Sequence, residues 1–319
     1  MTDASRSSPG SPSRAEPPAI RVPDIPPPAA DPHPPARPFP PGACDCHAHV
    51  FGPQSRYPLL PKTHFVPHET PFPAYVRMLR RLGCERGVLV QPSVYGTDNS
   101  LIVEALQSGT FDLRAVAVVS ADIGDRELEA MHAQGFRGIR INTASATPGL
   151  RIEDAPRLAA RIKPLGWHLQ FYLDLRTMPQ IEQALEALDI DIVIDHFARI
   201  ATAEGLQSGA YRALLRLLAR DNVWAKLMGP YFVSDAVPHY PDLVPFARGM
   251  IEVAPDRVVW GSDWPHPSAR EKMPDDGDLA DMLGEWAPDE AMRRRILVDN
   301  PRRLYGFDRS ARSTTEERR

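Results

Sequence analysis

Short apolar segments recur eight times along this chain, and each is followed by a longer segment with helical periodicity. Several of them, such as Val-Leu-Val at 88–90 and Ile-Val-Ile at 192–194, are apolar at consecutive positions, which is typical of parallel strands buried on both faces. The intervening segments carry apolar residues at i, i+3 and i+4, the pattern of helices that cover a sheet. The eight segments are 43–50, 87–93, 114–120, 138–142, 167–173, 191–196, 223–229 and 257–263.

This alternation leaves two α/β architectures to compare. Eight βα units in about 265 residues match the size and order of a (β/α)8 TIM barrel. A doubly wound sheet is the alternative, but it needs fewer strands and usually has a glycine-rich phosphate-binding turn after the first one, which 45–52 does not provide. We therefore predict a single barrel, with its active residues at the C-terminal ends of the strands.

Composition divides the 319 residues into three parts. Residues 1–42 hold 14 of the 35 prolines and almost no large apolar residues, so we predict a disordered arm, with a contact to the body near Phe39 as the alternative. Residues 43–307 form the predicted barrel domain. Residues 308–319 are charged and lack aromatic side chains, which predicts a flexible tail.

Charge and hydropathy limit the expected partners. The net charge of -4 gives no basic surface for nucleic acid or anionic membranes, so neither is an expected partner. No apolar run approaches the ~18 residues of a membrane span, and residues 1–19 lack an export pattern, which predicts a cytoplasmic protein. Three cysteines without an export signal are expected to be reduced. The expected partner is a small molecule, and the sequence does not predict the oligomeric state.

The first predicted strand carries two histidines. Because side chains alternate along a strand, Asp45, His47 and His49 should share one face, while Cys44 and Cys46 face the helices as small core residues. Two imidazoles two residues apart can converge on one metal ion or one substrate oxygen. Histidines that are simply packed are the alternative.

His196 and Asp263 follow the sixth and eighth predicted strands. A carboxylate at the end of an apolar strand is costly to desolvate unless it has partners or a chemical role. Because the C-terminal ends of barrel strands meet on one face, these two residues should lie beside His47 and His49. We predict these four as the catalytic residues.

Further polar residues near strand ends are candidates for substrate binding. Arg140 ends the fourth strand, where an inward guanidinium suits a bidentate carboxylate contact; a structural pair with an internal acid is the alternative. Ser93 and Tyr95 follow the second strand and could donate hydrogen bonds to a ligand, or form a capped turn. Tyr172, near the end of the fifth strand, is a similar candidate.

With these residues in view, the chain resembles the amidohydrolase superfamily, within it the branch of lactone hydrolases typified by 2-pyrone-4,6-dicarboxylate lactonase. The resemblance implies a (β/α)8 hydrolase, with a place in the breakdown of aromatic compounds. It also implies that His47, His49 and His196 surround the scissile carbonyl while Asp263 transfers protons. The segments that carry the resemblance, in family order, are 45–53 (DCHAHVFGP), 90–99 (VQPSVYGTDN), 137–142 (RGIRIN), 193–199 (VIDHFAR), 259–267 (VWGSDWPHP) and 300–305 (NPRRLY).

Two loops depart from that branch. The resembling lactonase brings further arginines from the loops after strands four and seven, but here these loops read TASATP at 143–148 and PYFV at 230–233. Tyr231 and Phe232 offer apolar surface instead, and we place Tyr231 among the substrate-binding residues. The predicted substrate is therefore a less anionic lactone, or related cyclic ester, of a small carboxylic acid.

The resemblance leaves the use of metal open. Two-metal members have a carboxylated lysine and a strand-five histidine, whereas this chain has LQFYL at 169–173 and no lysine at the end of strand four, so a two-metal site is not expected. The alternatives are one Zn²⁺ held by His47, His49 and Asp263, with or without His196, or a metal-free site. A metal-dependent decarboxylase of the same superfamily and a non-catalytic binding barrel are the rival functions.

Overall fold

The computed structural model describes residues 25–63, 65–144, 149–177, 180–269 and 273–307. Each of the eight predicted segments overlaps a strand, although β2, β3 and β4 begin one or two residues earlier than predicted. Neighbouring strands pair in parallel in chain order. The strands are β1 (Cys44–Ala48), β2 (Arg86–Val90), β3 (Asp112–Ala117), β4 (Phe136–Asn142), β5 (His168–Tyr172), β6 (Ile192–Ile194), β7 (Val223–Leu227) and β8 (Val258–Trp260).

The sheet closes on itself between its last and first strands. The segment after β8 returns to β1, where Trp264 forms a parallel bridge with Ala48. The N–H of His49 donates to the carbonyl of Trp264 at 2.7 Å, and the N–H of Asp263 donates to the carbonyl of His47 at 2.9 Å. A doubly wound sheet stays open, so this closure confirms the predicted (β/α)8 barrel.

Amphipathic helices cover the outside of the barrel. The first has prolines at its start, where a missing N–H costs nothing, and ends at Gly83, whose φ of 81° suits glycine. Of the described helices, none is long and apolar enough to cross a membrane. The α-helices are α1 (Phe72–Leu82), α2 (Ser100–Gln107), α3 (Asp125–Gln134), α4 (Ala155–Ile162), α5 (Ile181–Glu186), α6 (Gly209–Leu218), α7 (Val244–Val253), α8 (Asp276–Trp286), α9 (Glu290–Arg294) and α10 (Asn300–Tyr305).

An irregularity in β1 corrects the predicted orientation of its side chains. Asp45 pairs with Gly87 and Ala48 with Leu89, so β1 has one residue more than β2 over this stretch, as in a β-bulge. Cys46 packs in the barrel interior, and His47 also points inward. Asp45 instead contacts Tyr75 of α1. Strict alternation was therefore the wrong expectation for Asp45 and the cysteines, because the bulge shifts the pattern by one residue.

A small apolar cluster fills the N-terminal half of the barrel interior. Tyr305 of α10 packs against His168, the first residue of β5, and so closes the N-terminal end of the barrel. The C-terminal half of the interior holds polar side chains, so the candidate functional site lies at that end. The cluster consists of Cys44, Cys46, Val88, Val90, Val116, Val193, Trp224, Val259, Leu304, Tyr305 and Phe307.

Part of the proline-rich segment before the barrel lies against the body. Residues 25–42 lie against the barrel, whereas residues 1–24 and the tail at 308–319 lie outside the described residues. Phe39 packs edge-on against Trp260 with ring centroids 5.3 Å apart, and the N–H of Ala36 donates to Asp281 of α8 at 2.7 Å. Ile25 is buried and donates its N–H to the carbonyl of Val66. Isolated apolar residues thus anchor a segment whose overall composition predicts disorder.

Candidate active site

A cavity of about 460 Å³ opens at the C-terminal end of the strands. It brings together most of the side chains predicted for the site from separate strands and loops. Its described lining is His49, Phe65, Pro92, Ser93, Arg140, Asn142, Ala144, Tyr172, His196, Arg199, Tyr231, Phe232, Asp263, Pro267 and Ser268.

Asp263 lies where the predicted catalytic side chains converge. Its Oδ1 is 3.6 Å from Nε2 of His47, 3.7 Å from Nε2 of His49 and 4.0 Å from Nε2 of His196. Its Oδ2 accepts a hydrogen bond of 2.5 Å from the hydroxyl of Tyr231. One carboxylate oxygen is therefore held by a donor, while the other faces three imidazoles.

Burial sets the protonation of Asp263 and of the three histidines around it. It raises the pKa of Asp263 to about 7, against the opposing effect of the Tyr231 hydrogen bond. Burial also lowers the pKa of His49 to about 3, and it holds the pKa values of His47 and His196 well below the usual range. Near neutral pH the three imidazoles are therefore neutral, and Asp263 is the member of this group that exchanges a proton.

Lys226 of β7 contacts His47 and was not predicted from the sequence. Its ammonium has three N–H donors, and three acceptors surround it: Gln170 Oε1 at 2.7 Å, the Cys46 carbonyl at 3.0 Å and His47 Nδ1 at 3.1 Å. Burial lowers its pKa to about 8. A lysine inside the apolar segment VWAKL was the available signal, because a charged side chain in a buried strand needs partners.

These contacts assign the protons on two histidines. Because Lys226 donates to Nδ1 of His47, the proton of the neutral imidazole is on Nε2, which lies 3.3 Å from Nε2 of His49. His49 donates from Nδ1 to the carbonyl of Val90 at 2.7 Å, so its Nε2 is an acceptor. His47 thus donates its Nε2–H to the lone pair on Nε2 of His49, and Oδ1 of Asp263 lies 3.6 Å from the same His47 nitrogen.

Arg140 pairs with an internal acid and also lines the cavity. Its Nη2 lies 3.3 Å from Oδ2 of Asp195, a fully buried carboxylate that also accepts from Gln170 at 3.0 Å. The same guanidinium lines the cavity, and its buried Nε has no hydrogen-bond partner among the described residues. A structural pair therefore holds Arg140, and donors remain for a ligand.

Asp45 supports the turn that carries Asp263. It accepts hydrogen bonds from the N–H of Ser262 at 2.9 Å and from the Ser262 hydroxyl at 2.6 Å. Tyr75 donates to the same carboxylate at 3.1 Å. The bulge in β1 directs Asp45 to this position, where its carboxylate contacts the turn and Tyr75 and lies outside the described cavity lining.

The remaining predicted binding residues divide into two groups. Ser93, Tyr172 and Tyr231 line the cavity. Tyr95 lies outside its described lining, because its hydroxyl accepts the N–H of Gly52 at 3.2 Å and its ring packs against other aromatic side chains. The capped-turn alternative is therefore the one that the structure supports for Tyr95.

Arg199 lines the cavity and was not predicted from the sequence. It ends a turn in which all residues from His196 to Arg199 have positive φ, between 51° and 58°. Periodicity arguments assume right-handed helices or strands, so they gave no indication that His196 and Arg199 face the same cavity.

Three atoms of the site have the spacing of metal ligands. Nε2 of His47, Nε2 of His49 and Oδ1 of Asp263 lie 3.3 to 3.7 Å from one another, which fits a tetrahedral ion with ligands at about 2.0–2.1 Å. His49 already offers a lone pair. His47 would have to carry its proton on Nδ1, where Oδ1 of Asp195 at 3.5 Å could accept it. This donor set fits one divalent cation.

A second group of possible ligands is less suited to a metal. It consists of His47, Asp195 and His196, and so it shares His47 with the first group. Its carboxylate already has Arg140 at 3.3 Å and Lys226 at 3.7 Å. Two positive side chains there oppose the binding of another cation.

Comparison with known proteins agrees with this architecture. A 4-sulfomuconolactone hydrolase of Hydrogenophaga intermedia is 36% identical over 272 residues, which are 84% of this chain and 90% of that protein. A 2-pyrone-4,6-dicarboxylate hydrolase of Comamonas testosteroni is 36% identical over 286 residues, which are 86% of this chain and 94% of that protein. A crystal structure from Agrobacterium tumefaciens superposes with a TM-score of 0.77 at 29% identity and covers 86% of this chain and 99% of that one. The family model described as amidohydrolase matches residues 44–307, and the chain therefore belongs to the amidohydrolase family.

Proposed function

We propose that this protein is a hydrolase that opens the ring of a lactone bearing an acidic group. The observation that carries the proposal is the position of Asp263, whose Oδ1 faces three neutral imidazoles at the edge of a cavity that also holds Arg140. Such a site combines a proton acceptor, hydrogen-bond donors and an anion-binding group. The sulfomuconolactone and pyrone-dicarboxylate hydrolases named above act on lactones of this kind.

The first step is the addition of water to the ester carbonyl. Asp263 accepts a proton from the water as the new C–O bond forms, and a pKa of about 7 suits a group that must both accept and return a proton near neutral pH. Tyr231 keeps Oδ2 occupied, which leaves Oδ1 as the reacting oxygen. The proton then passes from Asp263 to the ring oxygen as the C–O bond of the ring breaks.

Negative charge develops on the carbonyl oxygen during this addition. The donation of Lys226 to Nδ1 fixes the proton of His47 on Nε2, so His47 can exchange its hydrogen bond to His49 for one to that oxygen. A donor fixed in advance in a dry site usually supplies one of the largest catalytic terms. Lys226 therefore acts as a positioning residue for His47.

Cofactor use is part of the proposal. His47, His49 and Asp263 would hold at most one divalent cation such as Zn²⁺, which when bound would polarise the carbonyl oxygen or lower the pKa of water. Elemental analysis of protein purified without added metal should give no more than one equivalent. Two equivalents of tightly bound metal would contradict the arrangement.

The reaction itself is tested with a panel of lactones and carboxylated aromatic acids. Ring opening releases one proton per turnover at neutral pH, whereas the rival decarboxylase would release CO₂. We expect proton release with lactones and no CO₂ from the aromatic acids. CO₂ release without lactone hydrolysis would assign the site to the decarboxylase.

A further inference from the structure

His266 and Asp276 form a buried pair that the proposed reaction does not use. Nε2 of His266 lies 3.2 Å from Oδ1 of Asp276, the first residue of α8, and both side chains are fully buried. Neither residue belongs to the described lining of the cavity. Among the described residues, no other side chain pairs with the Asp276 carboxylate. A carboxylate buried with a single partner is costly, so the pair requires an explanation.

The other ring nitrogen of His266 contacts a residue of the active site. Nδ1 lies 3.4 Å from the hydroxyl oxygen of Tyr231, which donates its single proton to Oδ2 of Asp263 at 2.5 Å. Because that proton is already committed, Nδ1 of His266 is the donor in its contact with Tyr231. A second proton lies between Nε2 and Asp276, since a nitrogen lone pair and a carboxylate repel each other. Polar contacts therefore connect the start of α8 to the proposed base.

The backbone holds His266 at a fixed position relative to Asp263. Both residues have a left-handed backbone, with φ of 62° at Asp263 and 61° at His266. The N–H of His266 donates to the carbonyl of Asp263 at 2.7 Å, which closes the turn between them. Residues other than glycine avoid this region unless the surrounding contacts determine it, and such residues are concentrated at functional sites.

Tyr231 needs such support because it lies on a different loop. It belongs to the short turn Pro230–Phe232 after β7, and its side chain is only half-buried. Among the described side chains, Asp263 and His266 are the two that contact its hydroxyl. A donor on His266 occupies a lone pair of the hydroxyl oxygen, so the O–H bond is directed away from His266 and toward Asp263. The contact thus fixes the direction of the hydrogen bond that Asp263 receives.

We propose that His266 and Asp276 are positioning residues for the general base. Together they hold the hydroxyl of Tyr231 against Oδ2 of Asp263, so that Oδ1 remains the oxygen that accepts the proton of water. This inference rests on the proposed function and extends it to two residues outside the described cavity lining. Because these residues position the base, their loss should lower kcat and leave KM nearly unchanged.

Amide replacements of His266 separate the contributions of its two nitrogens. Asparagine places an amide near the position of Nδ1, whereas glutamine places it near that of Nε2. We expect His266→Gln to lower kcat about tenfold on a lactone that the wild type opens, with KM changed less than about threefold. His266→Asn keeps a donor for Tyr231 and should retain kcat within about threefold of the wild type. An equal loss of kcat in the two variants would overturn the proposal.

Two replacements of Asp276 test the other end of the pair. Asp276→Ala leaves Nε2 of His266 without a partner and should lower kcat about tenfold. The amide of Asp276→Asn can still form a hydrogen bond with Nε2, so this variant should recover most of that loss. An Asp276→Ala variant with the kcat of the wild type would contradict a positioning role for this residue.

A Tyr231→Phe background shows whether His266 acts through the tyrosine hydroxyl. In that background His266→Gln should lower kcat less than about twofold further, because the group that it positions is already absent. A residue that only stabilises the fold would cause the same further loss in both backgrounds. A further tenfold loss in the Tyr231→Phe background would therefore overturn the proposal.

Unfolding in urea tests the same contact without hydrolysis. The shift in midpoint for the double variant, His266→Gln with Tyr231→Phe, should be clearly smaller than the sum of the two single shifts. His168→Gln is the control, since this buried histidine packs against Tyr305 at the other end of the barrel, and its shift should add to that of Tyr231→Phe. Additive shifts for His266→Gln would contradict this inference alone. A non-additive pair in a protein that opens no lactone would contradict the proposed function alone.

Discussion

At the scale of single residues, the sequence predicted the side chains that converge at the candidate site but not the side chains that orient them. Polar side chains at the ends of apolar strands are costly to bury unless they have partners or a chemical role. This cost made four residues predictable, namely His47, His49, His196 and Asp263. Lys226 and Arg199 were missed. The contacts of Lys226 depend on partners from β1 and β5, and the position of Arg199 in the cavity wall depends on a left-handed turn, so neither has a local sequence pattern.

Tyr231→Phe tests how the protonation of Asp263 is tuned. The hydroxyl stabilises the charged carboxylate, so its removal should raise the pKa of Asp263 above about 7. Since the base must be deprotonated, the acid limb of the kcat/KM profile should move up by about one pH unit. Activity should fall at pH 7 and largely recover at pH 9. An acid limb that stays in place would show that Asp263 does not govern it.

At the scale of elements, strand identity was predictable and side-chain direction was not. All eight apolar segments overlap strands, because a buried parallel strand has a strong local signature. The bulge in β1 reverses the expected direction of Asp45 and Cys46, and it arises from pairing with β2 and contacts to the turn after β8. Such long-range contacts cannot be read from alternation within one strand.

Ser262→Ala tests the contact between Asp45 and the turn that carries Asp263. The substitution removes a donor to a fully buried carboxylate and an acceptor for the N–H of Trp264. We expect a loss of about 1–3 kcal/mol in the free energy of unfolding in urea, together with reduced kcat. The exposed Ser100→Ala serves as control and should change neither. Full stability of Ser262→Ala would show that the Ser262 hydroxyl does not help Asp45 to hold this turn.

At the scale of the whole molecule, the proline-rich segment before the barrel contributes to its packing. Composition predicts disorder for residues 1–42, but Ile25 and Phe39 place apolar side chains against the body. The backbone of His33 also passes so close to α8 that a Cβ at Gly277 would lie 2.2 Å from the His33 carbonyl oxygen. A prediction from average composition does not detect single anchoring residues of this kind.

Truncation measures this contribution. Compared with removal of residues 1–24, removal of residues 1–40 should lower Tm by several degrees, since an apolar anchor such as Ile25 or Phe39 contributes ~2 kcal/mol when buried. Gly277→Ala should give a smaller fall through its clash with His33, while Gly209→Ala, which meets open space, should not. Equal Tm values for the two truncated proteins would contradict docking of residues 25–40.

The central claim, that Asp263 is the proton acceptor in lactone hydrolysis, is tested most directly by the kcat of Asp263→Asn. The amide has nearly the same size as the carboxylate, so the variant should fold with a similar Tm, but it cannot accept a proton near neutral pH. We expect kcat to fall roughly 10²- to 10⁴-fold on a lactone that the wild type opens. Metal content measured on the same sample separates a lost base from a lost metal ligand. Retention of more than about a tenth of the wild-type kcat would contradict the mechanism.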